Sequence, residues 1–357
     1  MAHHSALTKS HRVGLGHLRV RPASWPDPRS RKTMVEGDTK AGSGVSHDVV
    51  VETILHDEDV LDRLSAGEAV HWMGEAIDAH HRGELVAPPR AHADFGDGRL
   101  VFTTGRLRGS WFGYRSYDTL RSDPGAQVVV VHDEATGRVR AVAIGNELGP
   151  RRVGAIGAVA ADALAPADAT VVAIIGSGTQ AYTQVWALAA VRDLREVRVY
   201  SRDPDRRTSF AERVAPLVGG ACHPVENVRA ACEGAQVVIL ATSSPTPVVE
   251  AAWIAPGTYV TTLGPKQQGR AEFGLDLPEA ASLLVTDSLD QIGAYDPPNV
   301  LVGTSQEHRL VSLGAVRAGE VAAAAPDGIS LFFSVGLAGT EAFLLDRLTA
   351  SIENVRQ

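Results

Sequence analysis

Between Ile175 and Tyr182 the chain reads Gly176-Ser177-Gly178-Thr179-Gln180-Ala181, a glycine turn whose spacing suits the grip of a phosphate. Gly176 permits a tight bend, Gly178 has no Cβ to hold a pyrophosphate away from the backbone, and Ala181 supplies a third small residue for close helix–strand packing. Ser177, Thr179 and Gln180 share the turn, and a helix starting there would present free N–H groups to the phosphates. The second chemical signal is Ser201-Arg202. A carboxylate about 20 residues past such a turn normally accepts from the ribose 2′-OH of NAD, whereas an arginine suits the 2′-phosphate of NADP. With no acid at this tip and with Arg206 and Arg207 close behind, NADP(H) is favoured. Asp203 and Asp205 stand near enough to keep NAD(H) possible.

These residues need a strand before the turn, a helix after it and a second strand to carry Ser201. The flanking sequence supplies all three. Val171, Val172, Ile174 and Ile175 make the continuous apolar run of a strand buried on both faces. Ala181, Val185, Leu188 and Ala189 keep one apolar helix face, and Val197 and Val199 alternate with Arg198 and Tyr200. Further strands are expected at 237–243, 258–264 and 282–287, continuing the α/β rhythm. The fold class expected is α/β: a Rossmann-type doubly wound parallel sheet domain over 151–319, with a smaller, discontinuous α+β substrate and dimerisation domain from 48–150 and 320–357.

That smaller part reads as a strand from Val49, one long helix from Asp57 to Gly83 with apolar stripes of Val60, Leu61, Leu64 and Val70, Met73, Ile77, and then hairpins turning at GDG (96–98) and ATG (135–137). The C-terminal stretch from Ser330 reads as a short strand and a helix with spare apolar surface, returning to the first domain.

Length and composition set limits. A chain of 357 residues suits two domains. A net charge of −8 argues against nucleic acid as a partner, and no apolar run approaches the roughly 20 residues of a membrane span. Cys222 and Cys232, without a CxxC, indicate neither a disulfide framework nor structural zinc, and a reducing cytoplasm is the expected location. The first 33 residues carry five Arg, two Lys and one acid, Asp27, and residues 1–47 are read as a disordered extension outside the fold. No metal site is expected, because His80-His81 lacks the spacing of a metal-binding helix. Asp94-Phe95-Gly96 is read as a hairpin turn, and Cys222-His223 as strand neighbours facing opposite ways.

Segments around the turn add specificity. RRVGAIGAVAADALA (151–165), GSGTQA, ATSSPTPV (241–248), WIAPGTYVTTLG (253–264) and SVGLAGTE (334–341), in that order, resemble the ornithine cyclodeaminase/mu-crystallin family over about residues 49–357. The resemblance implies a homodimer and hydride transfer between a nicotinamide and the α-carbon of a small amino or imino acid. Arg90 matches the arginine that grips the substrate carboxylate, and a guanidinium fork suits two carboxylate oxygens. Arg152 matches the arginine at the start of the linking helix, followed here by Val153 in place of the usual threonine. Arg115 stands where the family has a substrate-contacting lysine, and Lys266 where cyclodeaminases have their catalytic aspartate. The resemblance also implies cofactor contacts from Thr242, Thr262, Leu263, Arg270, Ser334 and Val335, with Glu272 orienting Arg270 or Lys266.

The reading that follows is an imine reductase or amino-acid dehydrogenase, with Arg90, Arg115 and Arg152 holding a carboxylate and Lys266 as proton donor or imine polariser. Lys266 can shuttle a proton if burial, with Arg115 or Arg270 nearby, depresses its pKa. Two alternatives stand beside it: a redox-neutral cyclodeaminase of ornithine or lysine type, and a cofactor-binding protein without catalysis.

Overall fold

Strand pairing separates a mainly antiparallel first part from a mainly parallel second part. The computed structural model describes residues 53–120 and 125–356, so the extension read at 1–47 lies outside the described residues. The first part comprises β1 (Thr53–His56), α1 (Asp57–Arg63), α2 (Ala66–His81), β2 (Leu85–Val86), β3 (Ala91–Asp94), β4 (Arg99–Leu107), β5 (Trp111–Asp118), β6 (Gln127–Asp133) and β7 (Val139–Gly145). The seven strands form one sheet in the order β1-β7-β6-β5-β4-β2, with β3 also paired to β4. Both expected hairpins form, β3 with β4 and β6 with β7.

The one long helix expected after the first strand is two helices. Ser65 interrupts it as the N-cap of α2: its Oγ accepts from the Glu68 N–H at 3.2 Å, and the Glu68 carboxylate reaches back to the Ser65 N–H. This capping box satisfies orphan N–H groups and so starts a new helix where apolar periodicity alone runs on. Leu61, assigned to the buried stripe, is 50% exposed, while Val60 and Leu64 are buried.

The second part follows α3 (Leu148–Leu164), which runs straight through the boundary placed at residue 151. It comprises β8 (Val171–Ile175), α4 (Thr179–Leu188), β9 (Glu196–Tyr200), α5 (Pro204–Val214), β10 (Ala221–Pro224), α6 (Val228–Cys232), β11 (Val237–Leu240), β12 (Tyr259–Thr262), β13 (Lys266–Gln267), β14 (Arg270–Ala271), α7 (Asp276–Ala280), β15 (Leu283–Thr286), α8 (Leu289–Gly293), β16 (Leu310–Ser312), α9 (Leu313–Arg317), β17 (Ser330–Phe333) and α10 (Thr340–Arg356). Eight of these strands lie parallel in the order β10-β9-β8-β11-β12-β17-β15-β16. The order reverses between β8 and β11, and such a switch point opens a crevice at the carboxyl ends of the strands.

The expectation that residues 320–357 leave the parallel sheet together needs correction. β17 pairs with both β12 and β15 deep inside that sheet, and all four of its residues are buried, as an SLFF run requires. The chain returns to the antiparallel sheet with α10, which packs across β4 to β7. There Phe343 meets Trp111 edge to face, with ring centroids 6.2 Å apart, and both side chains are fully buried. The face of the antiparallel sheet that carries Trp111, Gly113 and Arg115 therefore looks at α10, and by alternation Phe112 and Tyr114 look away from it.

Candidate functional site

The glycine turn lies at the switch point. β8 delivers Gly176 at φ 127°, where a Cβ would meet the Ala241 carbonyl oxygen at 2.2 Å, so the strand can bend there because the residue is glycine. Gly178 is the N-cap of α4 with no side-chain cap, and a Cβ added to it would meet no heavy atom within 4 Å. The first N–H groups of α4 thus open onto free space. This space is a cavity of about 850 Å³ lined by Gly176, Ser177, Gly178, Thr179, Gln180, Ser201, Arg202, Arg206 and Thr242, among others. At its far rim the Ser201 hydroxyl donates to the Asp203 carbonyl at 3.1 Å, and the Asp203 carboxylate caps α5 by accepting from the N–H groups of Asp205 and Arg206. Arg202 and Arg206 are exposed there, while Arg207 donates to the Ser201 carbonyl at 3.2 Å.

A second cavity of about 330 Å³ adjoins the turn. It gathers Arg90, Arg115, Arg152, Lys266, Leu263, Ser334 and Val335, together with Thr103, Tyr117, Val153, Gln180, Gly264, Gln267, Tyr295 and Gly336. Four cations line it and no Asp or Glu does. Gln180 lines both cavities, and its Oε1 is buried without a hydrogen-bond partner among the described residues. The turn that fits a dinucleotide therefore ends against the cluster of cations.

Each cation is held by a different part of the fold. Arg90, on the segment between β2 and β3, donates from its backbone N and its Nε to Gln291 Oε1 at 3.0 and 3.1 Å, and from Nη2 to the Val335 carbonyl. Gln291 is on α8. Asp287, just after β15, fixes the loop beyond β17 by accepting from the N–H groups of Val335, Gly336 and Leu337 at 2.9, 2.9 and 3.1 Å. Arg115 on β5 donates from Nε to Gln127 at 2.8 Å and from Nη1 to Glu341 Oε1 at 2.6 Å, and it lies over the Tyr117 ring. Arg152 on α3 donates to the same Glu341 oxygen. Glu341 is 1% exposed; burial alone would raise its pKa, but the charges of Arg152 and Arg115 hold the carboxyl down at about 2.

Lys266 is 2% exposed and donates from Nζ to the carbonyls of Gly264 at 2.7 Å and Ser334 at 3.0 Å. Burial lowers its pKa to about 8, against the charges of Glu272 and Asp287 and with that of Arg90. The cation that contributes is thus Arg90, in place of the Arg115 or Arg270 expected. An ammonium poised near neutrality can release and recover a proton, so this position suits general acid–base work.

Three expected contacts fall elsewhere. Thr262 is fully buried and lines neither cavity, its hydroxyl being turned to Glu272 Oε1 at 2.6 Å. Arg270 is exposed on the β13–β14 ribbon and lines neither cavity. Glu272 makes no hydrogen bond to Arg270 or Lys266; it accepts from Thr242, Thr262 and the Gly264 N–H, tying together the ends of β11 and β12. Buried carboxylates are costly without donors, and Glu272, Asp287 and Glu341 each accept hydrogen bonds, from backbone N–H groups, hydroxyls or guanidiniums.

The sequence reasoning assigned no role to Glu341, Asp287, Gln291, Thr103, Tyr117 or Tyr295. Glu341 left a signal: it is the lone carboxylate at the start of the apolar helix TEAFLL, and an acid in such a place needs a buried cation. Thr103 is opposite Arg115 in the β4–β5 register, and neither spacing nor motif reveals that pairing.

Comparison with known proteins agrees with this geometry. The alanine dehydrogenase of Archaeoglobus fulgidus is 29% identical over 310 residues, covering 80% of this chain and 90% of that protein. The mouse ketimine reductase mu-crystallin is 29% identical over 157 residues, 44% of this chain and 49% of its own. Among solved structures, the Thermococcus litoralis Δ1-pyrroline-2-carboxylate reductase in complex with NADH and L-proline superposes with a TM-score of 0.76 at 25% identity, over 84% of this chain and 96% of that one. An archaeal alanine dehydrogenase dimer with bound NAD gives 0.75 at 25% identity, over 85% and 97%. The family model matches residues 50–348, and with the glycine turn, the arginine cluster and the parallel sheet in place, this chain belongs to the ornithine cyclodeaminase/mu-crystallin family.

Proposed function

We propose that this protein is an NADP(H)-favouring oxidoreductase that reduces the imine of an α-imino acid, or in reverse oxidises an α-amino acid, at its α-carbon. The observation that carries the reading is Gln180, which lines both the open phosphate cradle and the cavity of cations, so that a ring reaching over from the cradle meets a carboxylate held by arginines. The main-chain N–H groups of Gly176 to Gln180 would hold the phosphates, Thr242 a ribose, Ser201, Arg202 and Arg206 a 2′-phosphate, and Leu263 one face of the ring. When bound, the reduced nicotinamide supplies the hydride.

The chain's own residues place and protonate the substrate. Arg90 and Arg152 orient its carboxylate, because hydride transfer depends on close placement more than on covalent help. Lys266 Nζ gives a proton to the imine nitrogen as the α-carbon takes the hydride, leaving a neutral amine on Lys266 that solvent reprotonates. A cyclodeaminase is less well supported, since no carboxylate lines the cavity to shuttle protons beside an ammonium or to pair with a side-chain amine.

The antiparallel sheet with α10 acts in this reading as the substrate and dimerisation part. Pairing into a homodimer is supported by an apolar groove on the sheet face turned away from α10, formed by Val86, Pro88, Phe102, Phe112 and Tyr114. Two unpaired cysteines fit a reducing cytoplasm, and no helix among the described residues is long and apolar enough to cross a membrane.

The test is a panel of cyclic imino acids and of 2-oxo acids with ammonium, each offered with NADPH or NADH. Oxidation of NADPH in preference to NADH is expected with at least one substrate. Ammonia release from a diamino acid without net oxidation would replace the reading by a cyclodeaminase, and tight NADPH binding with no turnover would replace it by a non-catalytic binding protein.

A further inference from the structure

The reading above leaves the side chain of the substrate open, and the cavity's charge and hydrogen-bonding groups address it. Three guanidiniums, Arg90, Arg115 and Arg152, face the cavity, and the carboxylate paired with them is Glu341, which touches two of them. With Lys266 and the two carboxylates whose charges act on it, Glu272 and Asp287, four cations meet three carboxylates, so the cavity keeps a positive excess while Lys266 is protonated and suits an anionic ligand.

Two places for anions are built into the walls. The first is at Gly336, whose φ is 87° and whose missing Cβ leaves a gap 3.3 Å from Arg152 Nη1 and 3.6 Å from Arg90 Nη2. One carboxylate oxygen there is flanked by both guanidiniums. The second is at the Thr103–Arg115 pair, directly opposite one another in the β4–β5 register and both on the face turned to the cavity. Thr103 is 6% exposed, and its Oγ1 has no hydrogen-bond partner among the described residues. Arg115 commits Nε to Gln127 and Nη1 to Glu341, which leaves Nη2 to donate. A buried hydroxyl without a partner beside a guanidinium with a donor to spare is a second oxyanion seat.

Resting on the proposed reduction of an α-imino acid, we propose that the substrate is a short dicarboxylic imino acid, its α-carboxylate between Arg90 and Arg152 at Gly336 and its distal carboxylate on Thr103 and Arg115. Such an imine forms from a 2-oxo dicarboxylic acid and ammonia with loss of water. Hydride then adds to the α-carbon, Lys266 protonates the nitrogen, and the product is an amino dicarboxylic acid with the nicotinamide oxidised.

Two measurements test this. In the first, kcat/KM is compared between 2-oxo dicarboxylic acids and 2-oxo monocarboxylic acids of matched chain length, each with ammonium and NADPH. The dicarboxylic acids should be favoured by at least about tenfold, the worth of one hydrogen bond to a charged group. Thr103→Val should narrow that ratio by about tenfold. Equal or better use of the monocarboxylic acids, or an unmoved ratio in Thr103→Val, overturns the second seat. In the second, succinate and butyrate are titrated into the NADPH-loaded protein and followed by thermal midpoint. Succinate should stabilise and butyrate should not; equal effects overturn the inference. Because this readout needs no turnover, a chain that binds succinate but oxidises no NADPH would overturn the proposed activity and leave the dicarboxylate site standing.

Discussion

Replacing Lys266 with methionine separates what this residue does for chemistry from what it costs the fold. The ammonium is 2% exposed, and burial brings its pKa from an ordinary 10.5 to about 8. Below about pH 8 the group is charged in both the folded and the unfolded chain, and the full cost of burying the charge is present. Between about 8 and 10.5 the folded protein releases the proton while the unfolded chain keeps it, so the unfolded state binds more protons and stability rises with pH. At about 1.4 kcal/mol for each unit of pKa, the rise through that window amounts to roughly 3 kcal/mol. Methionine has a similar length and no proton, so the difference in unfolding free energy between wild type and Lys266→Met isolates this one group. Urea unfolding of both proteins across a pH series should show wild type gaining roughly 3 kcal/mol on the variant from neutral pH to above 10.5. The same proton governs turnover: kcat/KM of wild type should fall above about pH 8, and Lys266→Met should lose at least about a hundredfold in kcat, far more than it loses in NADPH affinity. A stability difference that is flat in pH, or one that moves the other way, would refute the buried-ammonium argument. Retained turnover would remove Lys266 from the chemistry.

Three other outcomes follow from the geometry. Gly178→Ala adds a methyl group with no heavy atom within 4 Å, so the thermal midpoint should stay put while NADPH affinity falls by more than about tenfold; unchanged affinity in a fluorescence titration would mean that the cradle does not take phosphates. Arg202→Ala should weaken NADPH by about tenfold and NADH far less, and an equal loss for both cofactors would argue against a 2′-phosphate contact. If the proposed homodimer pairs through the apolar groove, Phe112→Glu, at a residue 39% exposed there and stacked on His132, should sediment as a monomer where wild type sediments as a dimer; a monomeric wild type would overturn the dimer, and an unshifted dimer would place the interface elsewhere.

Periodicity and turn chemistry are properties of short stretches, and these were legible in the chain. The run from Val171 to Arg202 reads as strand, glycine turn, helix and strand because each piece satisfies its backbone hydrogen bonds and its apolar face within a few residues, and all four form as read. The two hairpins are local in the same sense. The helix break at Ser65 is legible too, through Ser65 and Glu68, because a capping box starts a new helix even where the apolar spacing runs on past it. The place of the last strand depends instead on contacts over long separations. β17 enters the parallel sheet between β12 and β15, and its short Ser-Leu-Phe-Phe run would equally suit a strand at an edge of either sheet.

The site divides along the same line. Which residue types stand at 90, 115, 152 and 266, and that a carboxylate is missing from the last, is written in the chain, and so is the phosphate-binding turn. The tertiary structure decided what those residues can do. Arg115 and Arg152 meet because Glu341, 226 and 189 residues further on, lies between them. Lys266 owes its lowered pKa to burial under the loop that Asp287 folds, whereas Arg270 is exposed on its ribbon, away from the two cavities. Charge and hydrogen-bonding capacity belong to a side chain, but desolvation and partners belong to its surroundings, and folding alone supplies those.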